Sequence, residues 1–86
     1  MMGVKKITKL QKKFLIDLSA CKHYPDDSDW LNYNKQEVYT HLIKLGWKDK
    51  SFKSVLGSLY TKEILYPECD QFFVHKKILN EINFNN

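Results

Sequence analysis

Arginine is absent from this 86-residue chain, and all fourteen of its basic residues are lysine. A lysine ammonium meets an anion as a point charge, so planar two-pronged recognition of a phosphate or a guanine edge is excluded. Glycine (three), proline (two) and cysteine (two) are scarce, and no internal repeat or low-complexity tract appears. No uninterrupted apolar run exceeds three residues, so no segment read from the sequence can span a bilayer. The opening MMGVKKITKLQKKFL carries charge but no apolar h-region, which argues against a secretory signal and makes a cytoplasmic location the expectation. In that setting Cys21 and Cys69 read as free, buried thiols. A zinc site built from Cys21, His23, Cys69 and His75 lacks the usual ligand spacing. Abundant Lys and Asn with a single Ala is the composition of an AT-rich coding genome, such as that of a phage or an AT-rich bacterium.

What is present argues for one folded domain over residues 1–86. Apolar residues make up 43%, with five Phe, five Tyr and two Trp, enough for a single modest core. Net charge is +4, but its distribution matters more than the sum. The lysines concentrate at the start of the chain and over residues 35–62, as a surface for a polyanion would require. Residues 17–34 and 63–86 are acidic on balance.

Hydrophobic spacing predicts the elements. Thr8-Lys9-Leu10-Gln11 is a capping box, followed by an apolar face through Leu10, Phe14, Leu18 and Cys21. Residues 22–29 then break the pattern with Pro25 and Asp26, Asp27 and Asp29. These acids read as a solvated turn, because the glycine and distal Glu of a calcium loop are missing. Trp30 to Tyr33 predicts a short strand. Asn34 caps a second helix with Glu37 completing the box, and Val38, Leu42 and Leu45 line its inner face. Gly46 ends that helix in the left-handed conformation, and Trp47 folds back on Leu42. Asp49 is the expected cap of a third helix, about residues 50–64, in which Phe52, Val55, Leu56 and Leu59 share one side. Ile64–Tyr66 and Gln71–His75 predict two strands around a turn at 67–70. A short helix over 76–83 closes the chain, with 84–86 frayed.

Gly46 in the turn, apolar Trp47 after it, Phe52 six residues on and Val55 nine residues on resemble the helix-turn-helix signature. Three helices followed by a hairpin resemble the winged helix-turn-helix family, over roughly residues 8–75. The resemblance implies an α+β, mainly helical fold: a three-helix core, a C-terminal β-hairpin wing and a short C-terminal helix. The sequence departs from the family at Leu42, where a small residue usually lets the two helices cross. What the resemblance implies is binding of double-stranded DNA by a small transcriptional regulator, with the third helix in the major groove.

On that reading Lys50, Ser51, Lys53, Ser54, Gly57, Ser58 and Thr61 of the third helix face DNA. Lys35 and Gln36 at the start of the second helix, and Lys48 in the turn, reach phosphates. Lys5, Lys6 and Lys9 form a basic arm. A homodimer is a further candidate partner, paired through Ile78, Leu79 and Ile82, unless that helix packs on its own core instead.

A second reading is a winged-helix module that binds protein, for example a phage-encoded protein that binds a host factor. The hairpin tip carries Glu68 and Asp70, the wrong charge for gripping phosphates, and Tyr39 and Ile43 lie off the main apolar stripe as a contact patch. No glycine-rich phosphate loop, paired carboxylates or nucleophile–base–orienter set is present, so neither an enzyme nor a cofactor is expected.

Overall fold

Thr8 opens the first helix as its spacing requires. In the computed structural model, which describes residues 7–25 and 29–84, the Thr8 hydroxyl accepts the Gln11 N–H and the Gln11 side chain accepts the Thr8 N–H. The expectations for Lys5 and Lys6, for Asp26 and Asp27, and for frayed residues 85 and 86 lie outside the described residues. The element order is α1 (Lys9–Ser19), β1 (Tyr24–Pro25), β2 (Trp30–Asn34), α2 (Lys35–Lys44), α3 (Asp49–Thr61), β3 (Tyr66–Glu68), β4 (Gln71–His75) and α4 (Lys76–Phe84). The result is a small α+β fold, mainly helical.

The strands form one antiparallel sheet in the order β1-β2-β4-β3. Strand β2, ahead of the second helix, pairs with the hairpin's return strand, Leu31 opposite Val74 and Tyr33 opposite Phe72. Those four residues are buried and make the inner face of the sheet. Tyr33 stacks on Phe72 with ring centroids 5.6 Å apart, and its hydroxyl has no hydrogen-bond partner among the described residues. Strand β1 is two residues long and was not foreseen; Tyr24 pairs with Asn32 at the sheet edge.

Phe14 of α1 is the hub of the core. It meets Trp47 edge-on at 5.4 Å and Phe52 at 5.5 Å, which joins α1 to the α2–α3 turn and to α3. Leu79 and Ile82 of α4 are each only 5% exposed, and α4 packs against α1. The helix proposed for pairing two copies therefore spends its apolar face on its own core.

Both helix-turn junctions end in the same backbone motif. Gly46 has φ +108°; its N–H donates to the Ile43 carbonyl and the Trp47 N–H to the Leu42 carbonyl, each at 3.0 Å. After α3, Glu63 takes φ 60°, with its N–H on Tyr60 and the Ile64 N–H on Leu59. This stops α3 at Thr61 rather than at 64. Ile64 and Leu65 are buried in the turn, and the strand begins only at Tyr66.

Other details also differ from the sequence reading. Lys48, not Asp49, is the N-cap of α3, with no side-chain cap, because the Asp49 carboxylate is engaged by the Tyr39 hydroxyl at 2.9 Å. Asn34 accepts the Glu37 N–H as expected, but the Glu37 carboxylate faces the Tyr24 hydroxyl. Leu10 and Leu45, assigned to inner faces by periodicity, are 48% and 51% exposed. Tyr39 and Ile43 are half-buried against the core and form no exposed patch. Leu42 is fully buried at the α2–α3 junction.

Candidate functional site

Helix α3 is amphipathic by composition and is used that way. Phe52, Val55, Leu56 and Leu59 are buried, while Lys50, Lys53, Ser54, Gly57 and Thr61 are exposed along the other flank. Asp49 in the first turn suits the positive helix end and lies 3.4 Å from Lys53, an exposed pair of small energetic weight. The Thr61 hydroxyl donates to the Gly57 carbonyl at 3.1 Å, so its hydrogen is occupied while its lone pairs face solvent.

The start of α2 lies beside this flank. Lys35, Gln36, Lys53 and Gly57 share one open groove of about 410 Å³ between α2 and α3. Its walls include Tyr39 and Tyr60, two residues that the sequence reading did not assign to the site. Tyr60 sits one turn beyond Gly57, a spacing that would have pointed to it. The hydrogen bond to Asp49 pushes the Tyr39 phenol above its ordinary pKa, and burial does the same to Tyr60. The Lys35 N–H donates to the Asp70 carbonyl at 2.8 Å, which ties the first turn of α2 to the hairpin.

Gly57 has no packing reason to be glycine. A Cβ built there meets nothing within 4 Å, and among the described glycines only Gly46 has a positive φ. An exposed glycine inside a helix costs roughly 1 kcal/mol relative to alanine. Crowding within the chain does not account for it.

Three sequence-assigned residues lie elsewhere. Ser58 is half-buried: its hydroxyl donates to the Val55 carbonyl and accepts the Gln11 side-chain amide at 2.8 Å, so it joins α3 to α1 rather than facing outward. Lys48 and Ser51 line a separate groove beside Leu10, Lys13, Leu45 and Trp47. At the hairpin tip Glu68, Cys69 and Asp70 are all exposed, with Cys69 at φ 53°.

The thiols are unlike each other: both are free, but Cys69, expected to be buried, is exposed because it sits in the hairpin turn. Cys21 is buried, and burial with the nearby Asp17 carboxylate pushes it up to about 11. No group of three or more His, Cys, Asp or Glu among the described residues is placed to hold a metal ion. No described helix is long and apolar enough to cross a membrane. Comparison of the chain with protein-family models, with curated proteins and with solved structures gave no match.

Proposed function

We propose that this chain binds duplex DNA as a small transcriptional regulator, setting α3 in the major groove with the start of α2 on the flanking phosphates. The observation that carries the reading is the exposed flank of α3. Lys50, Lys53, Ser54 and Gly57 stand clear of the rest of the molecule while the opposite flank is buried. Two further features support it. A strand before α2 pairs with the return strand of a hairpin after α3, a pairing that a winged helix-turn-helix reading calls for. Lys35 and Gln36 also share a groove with the α3 flank.

The arrangement assigns roles by chemistry. Lysines at 35, 50 and 53 neutralise phosphates or approach guanine as point charges, and Ser54 and Thr61 supply hydroxyl groups. The exposed acids of the hairpin tip keep that tip away from the phosphates, so contact rests on the two helices.

The test is retention of random and genomic duplex fragments across a salt series. Three to four lysines on phosphates should give a slope of log affinity against log salt of about −3 to −4. Failure to retard any duplex at low salt would end this reading. A winged-helix module for protein is the second reading, favoured by the acidic tip and requiring no salt-dependent retention.

Gly57→Ala separates folding from binding. The open space at its Cβ position leads us to expect a gain of roughly 0.5–1 kcal/mol in unfolding free energy. If Gly57 is there to let the groove wall come close, the added methyl should weaken duplex binding by about tenfold, the size of an overpacked contact. Denaturant midpoints and the same gel shifts read both quantities. Equal or tighter binding by the alanine variant would show that the close approach does not occur.

A further inference from the structure

We infer that the groove between the start of α1 and the α2–α3 turn is a docking site for an acidic amphipathic helix of a partner protein. Leu10 and Leu45 are two of the four large hydrophobic side chains exposed among the described residues. They line one groove of about 390 Å³, floored by the nearly buried Trp47. Helical periodicity directs both leucines inward, yet the fold leaves each about half exposed on the same groove. Clustered exposed apolar groups of this kind mark contact sites more often than scattered ones do.

Charge selects the occupant. Lys48 lines the groove as an exposed cation, Lys13 lines it with its ammonium paired to Asp17, and Lys9 and Lys44 are exposed next in sequence to the two leucines. The Asp17 carboxylate at its edge is already engaged, by the Trp47 indole N–H at 2.8 Å and by Lys13 at 2.9 Å. The apolar floor with a cationic rim is complementary to a helix carrying leucine-like anchors on one face and carboxylates beside them. A second copy fits poorly, since a two-fold contact would set these lysines against their own counterparts. An anionic bilayer also fits poorly, because the leucines border a concavity rather than a projecting face.

The site shares no lining residue with the α2–α3 groove, and of the residues that the sequence alone assigns to DNA it takes only Lys48 and Ser51. The inference therefore stands or falls independently of DNA binding.

The experiment uses the full chain, 15N-labelled, titrated with a synthetic helical peptide of about fifteen residues bearing Leu anchors and Glu flanks. Its twin carries Lys in place of Glu. The chain's two tryptophans, Trp30 and Trp47, give two indole signals, so the second is an internal control. The expected result is movement of the Trp47 signal while Trp30 stays, with binding at least tenfold weaker for the Lys twin. Leu10→Ser/Leu45→Ser changes exposed positions and should keep the fold while losing at least tenfold in peptide affinity. Lys50→Glu/Lys53→Glu should bind the peptide as the parent does. No Trp47 movement at millimolar peptide, equal binding of the Lys twin, or undiminished binding by the double-serine chain would overturn the inference. So would a Trp47 signal that shifts with protein concentration alone, or with phosphatidylglycerol vesicles in preference to the peptide.

Discussion

Lys50→Glu/Lys53→Glu should weaken the proposed duplex binding severely while leaving the fold intact. Each substitution removes one positive charge and adds one negative, so the formal net charge falls from +4 to 0. Two attractive phosphate contacts become two repulsive ones on the flank assigned to the groove. We expect at least a hundredfold loss of affinity at low salt, and a salt slope shallower by about two. The fold should tolerate the change because both side chains are exposed. Lys50 is the second residue of α3, where a carboxylate suits the helix dipole. Lys53 gives up only an exposed pair with Asp49, and Glu at that spacing costs a few tenths of a kcal/mol. The neutral double alanine variant isolates contact from repulsion: it should lose the same two units of slope with a smaller drop in affinity. Binding that survives the charge reversal would place the DNA surface elsewhere. Binding lost together with a lowered denaturation midpoint would mean that the fold, not the contact, was damaged.

Much of the frame was legible because local signals agreed with the tertiary outcome. The Thr8–Gln11 box, the Asn34 cap, the Gly46 turn and the buried side of α3 each follow from residues within one or two turns of one another. The misses have a common cause: a local rule met a tertiary partner that the sequence does not display. Periodicity puts Leu45 with Val38 and Leu42, but Leu45 is the C-cap of α2, just before the chain turns at Gly46, and its side chain is left exposed. Glu63 occupies the left-handed position that glycine usually marks, so the end of α3 carried no warning and its last residues were read into a strand. Asp49 has a good capping side chain, but Tyr39, ten residues earlier, takes its carboxylate. The candidate site shows the same division. Lys50, Lys53, Ser54 and Gly57 could be assigned from 100° spacing alone, whereas Ser58 lies on the same arc but at its margin, where Gln11 captures it. Nothing in the spacing along α3 announces a partner 47 residues away.

That capture is the basis of the second large effect. Gln11 is 5% exposed and is the only buried polar residue among the described ones. Its carbonyl oxygen accepts the Thr8 N–H at 2.9 Å and the Lys62 ammonium at 2.8 Å, and its amide donates to the Ser58 hydroxyl at 2.8 Å. One side chain thus closes the cap of α1 and fastens α1 to the far end of α3. Gln11→Leu keeps the volume and removes all three bonds. The Thr8 N–H loses its partner, while Ser58 retains its bond to Val55 and Lys62 loses this one contact. With about 1 kcal/mol for a net hydrogen bond and more for a stranded group, the expected cost is roughly 2–3 kcal/mol. For a chain of this size that lowers the thermal midpoint by about 10–20 °C. Gln11→Glu should cost far less. A carboxylate still accepts from Thr8 and Lys62, the latter with added charge, and the Ser58 hydroxyl can rotate to donate to it. The two variants therefore distinguish a polar clamp from mere packing, since packing alone would favour leucine over an extra buried charge. Urea midpoints at constant slope read the difference. Because Ser58 is four residues from Ser54 on the same helix, the clamp also sets how α3 is rolled on α1. A leucine variant that keeps full stability would show that the orientation of the exposed flank is held by the apolar contacts around Phe14 alone.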